Sequence, residues 1–266
     1  MKLREKCWLW GHPEGCYNDA YGNKQNSRMT PMECCLYLGI RNTFMVPDGE
    51  HTNYAVNRRQ YNKSFSTLRE VGWECFDASK NPDFVKPIIE EAANFPNIGR
   101  VVFDDFYFQY KNMPGSFDIA NIEKAYKLLK ENDVRPLDMW RVIYVHEFGM
   151  NQEDDNLFKE WLAPFDGGIM WTWKESEVPL IPEKFEHFKN ILGDKKKMFG
   201  CYLWNFGEAK PATRDAVLWQ LDWYLEKIKA GEAEGIVFHT NTMADLDLES
   251  YDAAVEWMQL HGDDEV

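Results

Sequence analysis

The chain has 266 residues, a formal net charge of −14, and 44% hydrophobic and 15% aromatic residues. That length suits one complete domain, and the apolar fraction is ample for a core. The acidity excludes nucleic acid and an anionic membrane surface as partners, because phosphate recognition needs clustered Lys and Arg.

Eleven Trp is a high count. So many large rings imply a Trp-heavy core, or a pocket that presents flat apolar faces to a ligand. Six Cys are present without any CxxC pair, so no zinc-ligand spacing is seen. Met1-Lys2-Leu3-Arg4 leads straight into a short apolar run with no signal-type h-region, and no stretch reaches the length of a membrane span. The expectation is a reduced, cytoplasmic protein.

The first apolar run is Cys7-Trp8-Leu9-Trp10-Gly11-His12. Thr30-Pro31-Met32-Glu33 then forms a capping box with Pro at the first helical position, and Gly39 marks a helix stop. Asn42 to Val46 and Trp73 to Asp77 are the second and third runs, and Asn81-Pro82 opens another helix. The fourth run, Arg100 to Asp105, precedes a segment with apolar residues at Ile119, Ile122, Ala125, Tyr126 and Leu129, one buried helical face. Trp140 to Glu147 and Gly168 to Trp173 follow as the fifth and sixth runs. Phe185, Phe188 and Leu192 repeat the helical spacing before Gly193. Met198 to Trp204 and Gly235 to His239 are the last two runs, separated and followed by helical patterns over 216–228 and 251–260.

Near-continuous apolar runs are what parallel strands covered on both faces require. Strands alternating with helices are βαβ units, and eight of them close a barrel. No linker or low-complexity tract interrupts the series. The expected fold is α/β, a single (β/α)8 TIM barrel spanning residues 1–266. No glycine-rich phosphate loop follows any strand, so no dinucleotide is expected, and no other cofactor or metal is implied.

In such barrels the reactive groups sit at the C-terminal ends of the strands. The polar residues that end the runs are His12, Asp48, Asp77, Asp104, Asp105, His146, Glu147, Lys174, Glu175, Asn205, His239 and Asn241. Asp104-Asp105 is the sharpest feature. Side chains alternate along a strand, so one of the two should face the barrel axis. Two dry neighbouring carboxylates also raise one another's pKa, which suits a general acid. Glu175 is the natural second carboxylate, and Glu147 a further acid or base. Trp10, Trp171, Trp173 and Trp204 fall at strand ends, where aromatic faces suit the C–H face of a pyranose. His12, Asp77, His146, Lys174, Asn205, His239 and Asn241 are placed to serve hydroxyl groups.

Leu9-Trp10-Gly11-His12, Phe103-Asp104-Asp105-Phe106, Trp171-Thr172-Trp173-Lys174 and Leu203-Trp204-Asn205-Phe206 together resemble the glycoside hydrolase barrels, and the whole chain looks like a bacterial member of that group. An acid after strand four and another after strand six looks more like the α-galactosidase-type barrels than the large clan with an Asn-Glu pair on strand four. The Asn-Glu pair is absent here, as is the chitinase-type Asp-x-Asp-x-Glu. The resemblance implies cleavage of a glycosidic bond by a carboxylate pair, with a carbohydrate as partner. Two alternatives stay open. One is a metal-dependent sugar isomerase, epimerase or hydrolase using His12, His146, Glu147 and His239. The other is a glycan-binding barrel without catalysis.

Overall fold

The computed structural model describes residues 1–47, 54–104 and 118–266. Eight parallel strands close on themselves: β1 (Cys7–Gly11), β2 (Asn42–Met45), β3 (Glu70–Glu74), β4 (Ile98–Phe103), β5 (Asp138–Tyr144), β6 (Gly167–Trp171), β7 (Lys196–Tyr202) and β8 (Gly235–His239). β1 pairs with both β2 and β8, which removes every sheet edge. Each strand is followed by a helix: α1 (Pro31–Leu38), α2 (Tyr54–Ser64), α3 (Lys86–Asn94), α4 (Ile119–Lys130), α5 (Gln152–Leu162), α6 (Ile181–Leu192), α7 (Arg214–Lys229) and α8 (Glu249–His261). The fold is a single (β/α)8 TIM barrel.

The helices begin and end where the side chains dictate. Thr30 accepts from the Glu33 N–H, and the Glu33 carboxylate accepts from the Thr30 N–H at 2.8 Å, a complete capping box for α1. Gly39 then takes the left-handed conformation (φ 68°) that closes this helix at little steric cost. Asp118 caps α4 and Thr213 caps α7 through side-chain acceptors.

Alternation along the strands decides what fills the barrel. Trp8 stacks on Phe44 at 4.6 Å, and the Arg100 guanidinium lies over both Trp8 (4.2 Å) and Trp140 (4.7 Å). Arg100 is paired with Glu70 at 2.7 Å, so the charge is neutralised as well as sandwiched. This layer plugs the N-terminal half of the barrel. Glycines on neighbouring strands make room for the rings. A Cβ on Gly72 would lie 2.3 Å from Phe44, one on Gly167 2.6 Å from Trp140, and one on Gly200 2.0 Å from Trp171.

A charged lattice ties strand starts together beneath the plug. Lys130 bridges Asp138 (3.0 Å) and Asp166 (2.9 Å), and Lys196 reaches Asp138 at 2.7 Å. Burial alone would push the Asp138 carboxyl up, but the hydrogen bonds from Lys196 and Lys130 outweigh it and hold the group below its ordinary value.

The third and fifth strands differ most from the sequence reading. The third strand begins at Glu70 and ends at Glu74, rather than running from Trp73 to Asp77, and a 3-10 turn follows from Phe76. Glu70 and Gly72 carry no apolar signal, yet one neutralises Arg100 and the other yields to Phe44. The fifth strand stops at Tyr144, because the Glu147 carboxylate turns back to accept from the Tyr144 N–H at 2.9 Å. All six Cys are free, five of them buried. Among the described residues no helix is long and apolar enough to cross a membrane.

Two outcomes follow from this packing. Gly200→Ala should cost about 1–3 kcal/mol of stability by overpacking against Trp171, read as a lower midpoint in denaturant unfolding with an unchanged slope. A depressed Asp138 contributes stability that is present above its unfolded value near ~3.9 and is lost as pH falls through its folded value. Asp138→Asn should therefore lower stability by about 1–2 kcal/mol at neutral pH, and the gap to wild type should shrink between pH 5 and pH 3 in thermal melts.

Candidate functional site

The C-terminal ends of the strands form an aromatic cup. The ladder sets Trp10 beside His239, His239 beside Tyr202, and Tyr144 beside Trp171, so these side chains share one level. Trp171 packs edge-on against Trp10 (5.6 Å) and against the tilted ring of Tyr202 (4.7 Å). Trp173 continues the wall upward, stacked on Phe206 and edge-on to Tyr144. Tyr17 and Tyr21, from the long connection after β1, complete it against Phe206 at 5.2 and 5.1 Å. Asp104 lines the same cup, being in step with Arg100 and Val102 on the inward face of β4. The lining encloses about 60 Å³. That is the space of a few waters, enough for one end of a ligand.

His239 forms part of the floor. It is 4% exposed, and its Nδ1 has no hydrogen-bond partner among the described residues. Desolvation, followed by the neighbouring His12 ring at 5.4 Å, pushes its pKa well below the ordinary imidazole value. The ring is therefore neutral at physiological pH. Tyr17 stacks on His239 and its hydroxyl lies 3.1 Å from His12 Nε2. Burial, then the nearby Cys16, Tyr202 and Asp104, hold the Tyr17 phenol well above its usual range and so keep it protonated.

Several sequence-selected residues stand outside the cup. Asn241 is fully buried and its amide is spent on the backbone. It accepts from the His12 N–H (2.8 Å) and donates to the carbonyls of His12 (3.0 Å) and Met29 (2.8 Å). Instead of meeting a ligand, it clamps the β1 connection onto the end of β8. Glu175 also has another task. Its carboxylate accepts from the Thr213 N–H (2.7 Å) and hydroxyl (3.0 Å) at the start of α7, where a helix favours an anion. Glu147 closes the turn after β5, as described above. His146 stacks on Tyr144 and pairs with Glu177 at 3.3 Å, on the outer rim.

Asp77 is exposed and paired with Lys80, three residues on. Lys174 is exposed, with its backbone N–H held by Glu177 at 3.0 Å. The Trp204 indole donates to the Tyr21 carbonyl at 3.0 Å, and so supports the cup wall from behind. Asn205 caps the short turn after it through Glu208. Asp48 and Asp105 lie outside the described residues. The structure thus brings Asp104, Trp10, Trp171, Trp173 and His239 together, with His12 directly behind. Among the described residues, no three His, Cys, Asp or Glu side chains gather as metal ligands, and His146 is tied to Glu177 rather than to His12 or His239.

Tyr17, Tyr21, Tyr144, Tyr202 and Phe206 also line the cup and were not singled out from the sequence. Alternation carried the signal for two of them, since Tyr144 is in step with Trp140 and Tyr202 with Gly200. Tyr17 and Tyr21 sit in a connection without periodicity, where the sequence marks no direction.

No protein-family model and no curated protein matches the chain. Solved structures do match in fold. The catalytic domain of a hyperthermophilic chitinase from Pyrococcus furiosus is similar with a TM-score of 0.62 at 11% identity, over 96% of each chain. A glycoside hydrolase family 5 enzyme from Prevotella bryantii B14 is similar with a TM-score of 0.55 at 8% identity, over 98% of this chain and 99% of that one. At these identities the likeness is one of architecture, the (β/α)8 barrel, and not of activity.

Glu175→Ala should remove the acceptor from the first turn of α7, costing about 1 kcal/mol. Ligand binding at the cup should stay within twofold of wild type in calorimetric titration. A large loss of binding without loss of stability would return Glu175 to the site.

Proposed function

We propose that the chain is a glycosidase, a hydrolase of O-glycosyl bonds, in which Asp104 is the carboxylate that moves the proton. One observation carries this reading: Asp104 shares a small cup with the faces and edges of Trp10, Trp171, Trp173 and Tyr202. Aromatic rings present the apolar surface that the C–H face of a pyranose needs, and the phenols add hydrogen-bonding tips. Cleavage through an oxocarbenium-like transition state needs an acid at the leaving oxygen. Asp104 is the one carboxylate among the described lining residues, so that role falls to it. The barrel's likeness to a chitinase domain and a family 5 glycoside hydrolase is consistent with this chemistry.

A second reading has its own support. Capture of Glu175 by Thr213 removes the carboxylate expected to oppose Asp104, which favours a barrel that binds glycans without cleaving them. The two readings separate in one experiment on a panel of aryl glycosides and oligosaccharides. If the chain is a glycosidase, Asp104→Asn should reduce kcat/KM by roughly 10²–10⁴-fold, the usual contribution of a positioned acid, and the variant should keep its melting temperature and still bind. Wild type that binds but never forms product supports the second reading. Full activity in the Asn variant contradicts the assignment of Asp104.

A further inference from the structure

The floor of the cup holds two polar groups that the described residues leave unanswered. Among those residues, Trp171 Nε1 and His239 Nδ1 each lack a hydrogen-bond partner, on side chains only 1% and 4% exposed. The two rings meet edge-on at 5.8 Å, and both line the cup. Buried polar atoms in folded proteins are nearly always satisfied, so two adjacent exceptions in one cavity point to a ligand. An indole N–H only donates, and a neutral imidazole carries one donor and one acceptor. A group that offers an oxygen to the indole N–H and can donate or accept at the imidazole, as a hydroxyl or an amide does, answers both.

Charge points the same way. No Lys or Arg lines the cup among the described residues, while Asp104 does. The neutral state of His239 follows from its burial and from His12 beside it. An acidic substituent entering this space would lose its hydration, meet no cation among the described lining residues and approach a carboxylate. A hydroxymethyl or acetamido group pays little desolvation and meets two waiting partners.

We infer that the cup selects uncharged glycan substituents and rejects acidic ones, with Trp171 and His239 as the residues that set this choice. The inference rests on the glycan reading above and goes further by naming the class of sugar. The volume of about 60 Å³ fits one such substituent rather than a whole ring.

The test is a binding titration of the full chain with matched pairs. Methyl hexopyranosides in the gluco, galacto and manno series are compared with their 6-carboxylates, and an N-acetylglucosaminide with its N-sulfo counterpart. Because the protein carries a net charge of −14, each pair is measured at both low and high salt. Long-range repulsion is screened at high salt, whereas discrimination inside a dry cup persists. The expected result is that acidic members bind at least tenfold more weakly at both salt levels. Trp171→Phe, which keeps a ring but removes the N–H, should weaken neutral ligands by fivefold or more.

Acidic members binding within twofold of their neutral partners in both kinds of pair would overturn the inference and leave the glycan reading standing. So would a preference that vanishes at high salt. If Trp171→Phe fails to fold, the wild-type pairs decide the matter alone. Absence of binding by every member of the panel would overturn the glycan reading itself, and the inference with it.

Discussion

Closure of an eight-stranded parallel sheet forces every second side chain of every strand toward one axis. The interior must then be filled to crystal-like density by residues from distant parts of the chain. In this protein the filling is done with very large rings, and the glycines opposite them are the condition for it. Phe44, Trp140 and Trp171 each occupy space that a Cβ on Gly72, Gly167 or Gly200 would claim. Large and small residues face one another on neighbouring strands, so the barrel closes around the indoles, with a register shift between Val71 and Gly72 where β3 meets β4. The same arrangement separates two ends. Below, Arg100 is sandwiched by Trp8 and Trp140 and neutralised by Glu70. Above, Trp10 and Trp171 form the buried base of the cup and Trp173 stands partly exposed over them.

The upper end depends on a second set of restraints that hold the walls still. Asn241 ties the β1 connection to the end of β8, and the Tyr251 hydroxyl accepts from the Thr240 N–H at 2.8 Å, fixing the residue after His239. Trp204 supports Tyr21 from behind. The Asn241 and Tyr251 contacts are buried and the Trp204 contact is partly so, and together they hold the cup walls in place. Preorganised aromatic walls lose little side-chain freedom on binding, which favours recognition of weakly interacting, heavily hydrated molecules such as sugars. Within the cup, burial decides protonation: it keeps His239 neutral and Tyr17 protonated.

Much of the fold was readable from the chain, for a simple reason. Parallel strands buried on both faces must be apolar throughout, and helices must announce their ends; Thr30-Pro31-Met32-Glu33 with Gly39 does so in full. The third strand was misplaced because its defining residues, Glu70 and Gly72, earn their positions only through Arg100 and Phe44, which are distant in sequence. The site was legible in part. Trp171 and Trp173 could be placed on one face by alternation, and Asp104 or its neighbour could be expected at the axis. Asn241 and Glu175 look the same in sequence whether they meet a ligand or a backbone amide. Only the approach of Met29 and Thr213 separates the two cases. Tyr17 and Tyr21 were silent because an aperiodic connection carries no record of direction.

The most direct test of this account is a crystal structure of the protein with the tightest-binding neutral glycoside. The account predicts a sugar ring at the mouth of the cup beside Trp173, with one substituent inside the cup and its oxygen within hydrogen-bond distance of the Trp171 indole N–H. A ring seated instead in the outer groove between α3 and α4, beside Lys86 and Leu128, with the cup unchanged, would contradict it.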